Sequence, residues 1–137
     1  MHITDLPVDR AHEAVALWHE SGLTRPWNDP HADLTRAVDS PCSTVLAAVE
    51  DGVLTGTAMV GHDGHRGWVY YLAVRPDRRR AGLGRDLMNA CERWLMQRKV
   101  PKINLVVRTT NTSVVAFYDS LGYEDGEVLV LGKFLDR

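Results

Sequence analysis

Arg79-Arg80-Ala81-Gly82-Leu83-Gly84 sets arginines and glycines at the start of a segment, Gly82 to Lys99, whose apolar residues recur at helical spacing. An apolar run of strand length, Trp68 to Val74, precedes it. Strand, glycine-bearing basic loop and helix, in that order, make an anion site. The first helical turn offers unpaired N–H groups and the positive end of the dipole. Glycine removes the Cβ atoms that would hold a bulky anion off the backbone. The loop therefore reads as a phosphate seat, with a pyrophosphate as the expected occupant. Two common phosphate loops are excluded. The dinucleotide fingerprint needs a third glycine where Leu87 stands, and no Gly-Lys-Ser/Thr triplet occurs.

What remains, Arg-x-x-Gly-x-Gly after a strand ending Leu72-Ala73-Val74-Arg75-Pro76, resembles motif A of the GNAT family, the N-acetyltransferases that use acetyl-CoA. A second stretch, Asn111 to Tyr123, resembles the family's motif B, with Asn111, Tyr118 and Gly122-Tyr123 in place and Val114 where many members carry Ala. Arg25–Pro30, Gly64–Gly67 and Tyr118–Gly122 together resemble the bacterial YpeA-type acetyltransferases more than the family at large.

The resemblance implies roles for particular residues. The backbone amides of Arg80, Ala81, Gly82, Leu83 and Gly84, helped by Arg79 and Arg85, would hold the CoA pyrophosphate. Leu72, Ala73 and Val74 would line the pantetheine arm through backbone groups. The N–H near Leu72 would polarise the thioester carbonyl, an oxyanion-hole role. Asn111 and Tyr118 would flank the coenzyme, and the Tyr118 phenol would protonate the departing thiolate. The loop Arg25-Pro26-Trp27-Asn28-Asp29-Pro30 would border the acceptor, either by recognising it or by a blander division of labour in which Trp27 plugs the core edge and Asp29 caps the next helix.

The acceptor is expected to be a primary amine of unidentified nature. Amines are mostly protonated near neutral pH, with pKa values of about 8 to 10.4, so the site must remove a proton. Asp29, Asp63, His65 and Tyr71 are candidates for that task or for contact with the acceptor; Glu50, at a hairpin turn, is a poor one. Two histidines three apart, His62 and His65, lack a third ligand, so no metal is expected. Cys91 falls on an apolar helix face and Cys42 in a loop, which reads as free thiols with no nucleophile.

The elements that must position these groups follow from periodicity. Met1–Leu6 reads as a strand and Asp9–Glu20 as a helix capped by Asp9. Ala32–Asp39 reads as a second helix. Ser43–Glu50, Val53–His62 and Trp68–Val74 form a meander turning at Asp51-Gly52 and Asp63–Gly67. Gly82–Lys99 is the main helix, Ile103–Arg108 a buried strand, Asn111–Leu121 a helix stopped by Gly122, and Val128–Phe134 a last strand. The expectation is one α/β domain over 1–137, a mixed, mostly antiparallel sheet of six to seven strands with about four helices. This is the element order of the GNAT fold.

Bulk properties narrow the alternatives. A net charge of −2 argues against a general nucleic-acid binder, although Arg75, Arg78, Arg79, Arg80 and Arg85 crowd one region. No apolar run approaches the roughly 20 residues of a membrane helix, and the N-terminal stretch lacks the apolar core of a signal peptide. A cytoplasmic monomer or homodimer is expected, without nucleic acid or membrane as partner. A catalytically silent acyl-CoA sensor is the second reading, and an RNA-associated protein using the arginine cluster is the third.

Overall fold

The computed structural model describes residues 2–79 and 81–137; Met1 and Arg80 lie outside them. The chain divides into two compact units, Met1–Leu105 and Val106–Arg137.

The first unit holds five strands: β1 (His2–Asp5), β2 (Ser43–Glu50), β3 (Val53–His62), β4 (Gly67–Val74) and β5 (Ile103–Leu105). They pair in sequence order, antiparallel from β1 to β4 and parallel between β4 and β5. The β2–β3 connection takes its form from Asp51 and Gly52, both at positive φ (51° and 77°), the paired left-handed conformation a tight hairpin requires. The five strands fall short of the six to seven expected.

Helices α1 (Ala11–Glu20), α2 (Pro30–Asp39) and α3 (Leu83–Gln97) cover the sheet. Adjacent residues of β3 sort them onto opposite faces. Thr57 meets Trp18 of α1, whereas a Cβ at Gly56 would lie 2.8 Å from Leu87 of α3. Gly56 and Gly67 are therefore small because α3 lies against them, Gly67 beneath Leu95. On the α1/α2 face the core gathers Ala14, Val15, Leu17, Trp18, Leu34 and Ala37 against Val45, Ala47, Leu54 and Ala73. On the other face α3 buries Leu83, Leu87, Met88, Cys91 and Leu95, as its apolar spacing predicts, while Trp94, expected on the same stripe, is only partly buried.

Helix starts differ from expectation in two places. Asp9 is not a cap: Val8–Arg10 form a 3-10 turn, and α1 begins at Ala11. Helix α2 begins two residues early, at Pro30, because Asp29 caps it through a 3.2 Å bond from the Ala32 N–H, and proline suits a first helical position.

The second unit contains α4 (Thr112–Ser120). Its end is closed by Gly122 at φ +92°, with the Tyr123 N–H bonded to the Tyr118 carbonyl at 3.1 Å. Two expected strand segments fall here and do not form. Residues 106–108 carry no strand, so β5 is shorter than its apolar sequence suggests. Val128–Phe134 is irregular and exposed, flanked or interrupted by Gly126 and Gly132. A strand needs a neighbour to satisfy its backbone, and among its described residues this unit holds no other.

Candidate active site

The site expected from sequence is built on the second half of β4, and there the sheet is irregular. Thr57 pairs with Ala73 and Met59 with Tyr70, so Ala58 alone faces both Tyr71 and Leu72. This is a bulge, one extra residue on β4. At its centre Tyr71 has φ +53°, a conformation that bulky side chains rarely adopt. Such a residue costs about 1–2 kcal/mol and persists only where its surroundings over-determine it.

They do so here. The Tyr71 ring stacks on Trp18, with centroids 3.9 Å apart and planes 14° apart. Its carbonyl accepts from Thr57 Oγ1 at 3.1 Å, and that hydroxyl accepts in turn from the Trp18 indole N–H at 2.8 Å. Its own hydroxyl donates to Asp33 Oδ2 at 2.8 Å. One stacked pair and two hydrogen bonds, each worth about 1 kcal/mol, outweigh the backbone strain.

The pairing of β4 with β5 ends just before the bulge. That ladder runs from Gly67 opposite Ile103 to Val69 opposite Leu105 and stops. Among the described residues of the first unit, Tyr70–Val74 has no strand on that side. Leu72 and Val74 are partly buried and Ala73 is buried, so the edge keeps its shape through the α1/α2 core.

β4 leads through Arg75 and a 3-10 turn, Pro76–Arg78, into the glycine loop. Arg75 and Arg78 are engaged by acids: both contact Asp77, and Arg78 also meets Glu50 at 3.0 Å. Arg79 and Arg85 are exposed and form no ion pair among the described residues; Arg80, assigned to the same seat, lies outside them. Ala81 and Gly82 are exposed. Gly82 sits at φ +81°, and a Cβ there would meet nothing within 4 Å. It precedes α3 without a side-chain cap, and the first intrahelical bond is from the Asp86 N–H to the Gly82 carbonyl at 3.0 Å. The amides of Leu83, Gly84 and Arg85 thus precede the helical ladder. A depression of about 340 Å³ beside this turn is lined by Glu50, Asp51, Asp86 and Arg78 with Ala81 and Leu83. Three carboxylates against one guanidinium repel a diphosphate, so any anion seat lies on the amides rather than in the depression.

The other expected residues divide into local anchors and exposed groups. Asp29 caps α2, and Arg25 donates to the Gly22 and Thr24 carbonyls. The Asn28 N–H closes a turn on the Arg25 carbonyl, and Trp27 stays nearly half exposed. Asp63 accepts from the amides of His65 and Arg66, which hold its carboxyl below the usual range, Arg66 contributing most. His65 is exposed at this turn. Burial and the Asp33 hydrogen bond push the Tyr71 phenol well above its ordinary pKa. Burial pushes the Cys91 thiol up to about 12, which removes it as a nucleophile. Among the described residues no His, Cys, Asp and Glu cluster could hold a metal ion. No helix among them is long and apolar enough to cross a membrane.

Asn111 sits at the start of α4 and accepts from the Ser113 hydroxyl at 3.3 Å. Tyr118, on the last turn, packs edge-on against Phe117 and Tyr123, at 5.0 and 5.8 Å between centroids.

Trp18, Thr57 and Asp33 are not among the site residues to which the sequence points, Trp18 being marked there only as an apolar position of the first helix. Trp18 and Thr57 lie 39 positions apart and Asp33 and Tyr71 38, and no local pattern joins them. The one available signal was Thr55-Gly56-Thr57 inside an apolar strand, where buried hydroxyls demand partners.

The acetyltransferase (GNAT) family model matches residues 12–123. A Yersinia pestis (strain Pestoides F) protein named acetyltransferase is 39% identical over 135 residues, covering 98% of this chain and 96% of its own length. Two solved structures share the fold. An aminoglycoside N-acetyltransferase in complex with CoA is 18% identical, with a TM-score of 0.84 over 98% of this chain and 94% of its own. An apo aminoglycoside 6′-N-acetyltransferase from Acinetobacter haemolyticus is 19% identical, with a TM-score of 0.79 over 99% of this chain and all of its own. With a family model spanning most of its length and a relative at that level of identity, the chain belongs to the GNAT family of acetyltransferases.

Proposed function

We propose that this protein transfers the acetyl group of acetyl-CoA to a primary amine by direct attack on the thioester, with residues 1–137 acting as one functional domain. The observation that carries the reading is the second half of β4: a bulged strand with no strand partner on one edge from Tyr70 onward among the described residues of the first unit, running on into a helix start with no side-chain cap behind Gly82. An extended amide-bearing arm complements an open strand edge, and a diphosphate complements helix N-terminal amides. Leu72, Ala73 and Val74 serve the arm. Ala81 to Gly84 and Arg80 serve the diphosphate through their amides, with Arg79 and Arg85 supplying charge.

In the reaction the amine nitrogen bonds to the thioester carbon, the carbon–sulfur bond breaks, the nitrogen loses a proton and the sulfur gains one. The Leu72 N–H stabilises the carbonyl oxygen as charge develops. Tyr118 is assigned, on its motif alone, the proton for the departing sulfur, and Asn111 a place beside the coenzyme. Asp29 and Asp63 are occupied by local amides, and the Tyr71 proton is committed to Asp33. We therefore assign proton removal from the amine to solvent and desolvation, with juxtaposition of the two substrates supplying much of the rate. The loop containing Arg25, Trp27, Asn28 and Asp29, with His65, is assigned to the acceptor.

The test is calorimetric titration with acetyl-CoA, followed by an acceptor screen that detects released CoA thiol. Aminoglycosides form the first arm, because two solved neighbours act on them; polyamines, amino acids and peptide N-termini follow. Micromolar binding with amine-dependent thiol release supports the reading. No binding at millimolar acetyl-CoA contradicts it, and binding without release to any amine indicates the silent sensor.

A further inference from the structure

We propose that Tyr71 is a positioning residue for acetyl transfer, its side chain fixing the peptide plane that carries the Leu72 N–H. The proposal rests on the reading that the acetyl carbonyl lies against β4.

The Tyr71 carbonyl and the Leu72 N–H belong to one planar unit, and the chain contains no cis peptide bond among its described residues. In a trans unit the two groups point in opposite directions. Thr57 Oγ1 holds the Tyr71 carbonyl at 3.1 Å, so the Leu72 N–H points away from Thr57. The plane can still turn if Tyr71 relaxes from φ +53° toward the ordinary strand region. Relaxation is opposed at both ends of the side chain, by the Trp18 stack at the ring and by Asp33 at the hydroxyl. Trp18 and Thr57 are joined by their own 2.8 Å bond, so ring and carbonyl are held by one connected pair. Asp33 stands on α2, whose first turn is capped by Asp29 of the loop assigned to the acceptor. An oxyanion donor is effective only when its direction is set before the reaction begins, and this network sets it.

The experiment uses acetyl-CoA labelled with carbon-13 at the carbonyl, bound to the full chain, with the carbonyl stretch read by infrared difference spectroscopy. The carbon-13 shift of the backbone carbonyl at position 71, which reports its bond from Thr57, is measured in the coenzyme-free protein, and affinity by calorimetry. In the parent protein the bound stretch falls below that of free acetyl-CoA. In Tyr71→Phe that displacement shrinks to roughly half and the position-71 carbonyl resonance moves upfield as its bond from Thr57 loosens, while affinity stays within about twofold. Asp33→Asn retains an acceptor oxygen and keeps parent values. Thr57→Val strands the buried Trp18 N–H, so Tyr71→Phe is the deciding variant. A lowered melting temperature with an unmoved stretch and an unmoved carbonyl shift overturns the proposal. A reduced stretch displacement with an unmoved carbonyl shift also overturns it, since Tyr71 then acts by touching substrate. If the parent protein does not bind acetyl-CoA, the function reading falls and the positioning role with it; the carbonyl shift still reports whether the side chain pins the peptide.

Discussion

The two ends of β4 are made of similar residues and behave differently. From Gly67 to Val69 the strand is paired on both sides, and Leu95 of α3 lies directly on Gly67. From Tyr70 to Val74 it is bulged, strained at Tyr71 and, among the described residues of the first unit, without a strand partner on the β5 side. The first end spends its backbone hydrogen bonds on the sheet. The second keeps an edge in reserve and holds its shape through side chains from α1, α2 and β3 instead. The difference separates stability from binding along a single strand, so substitutions at the two ends should fail in different assays.

The largest effect is expected at the paired end. Gly67→Val forces a side chain into the space of Leu95 and should cost about 3 kcal/mol in chemical denaturation, with coenzyme affinity of the folded protein unchanged. A loss of affinity without a loss of stability would erase the distinction between the two ends. Next comes Gly82→Trp, just beyond the open end. A Cβ there meets nothing, so the fold should survive apart from the strain of φ +81°, but acetyl-CoA affinity should fall by roughly a hundredfold, about 2.7 kcal/mol. Unchanged calorimetry would remove the loop from the site. Tyr118→Phe should reduce turnover about tenfold and leave coenzyme affinity nearly unaltered, the mark of a group used in the reaction rather than in binding. Equal turnover would return Tyr118 to packing with Phe117 and Tyr123. The smallest effect belongs to Asp29→Ala, which removes the α2 cap and should lower stability by about 1 kcal/mol. A larger fall in acceptor KM-dependent rate than in stability would show that Asp29 also meets the acceptor.

The regular end of this comparison was legible in the sequence and the irregular end was not. Alternation and the Asp51-Gly52 turn sufficed for β2 and β3, because hairpin register follows from local chemistry. The stripe Leu83, Leu87, Met88, Cys91, Trp94, Leu95 sufficed for α3, although Trp94 is only partly buried. The Arg-x-x-Gly-x-Gly motif located the helix start to within a residue. The bulge was hidden because Tyr71 looks like any strand aromatic. What bends it are Trp18, Asp33 and Thr57, which reach it across long stretches of chain. The length of β5 was hidden for a related reason: Val106 and Val107 read as strand, but the ladder with β4 stops at Val69, just before the bulge, and β5 stops with it. Val128–Leu131 shows the same limit. Strand propensity is a demand for a neighbour, and sequence does not supply one.

The central claim, that β4 and the start of α3 form one coenzyme site, is tested most directly by titrating nitrogen-15-labelled protein with acetyl-CoA and following backbone amide shifts. The account predicts the largest changes at Leu72–Val74 and at Gly82–Arg85 together, with Gly67–Val69 almost still. Changes confined to other segments, or none at millimolar acetyl-CoA, would contradict it.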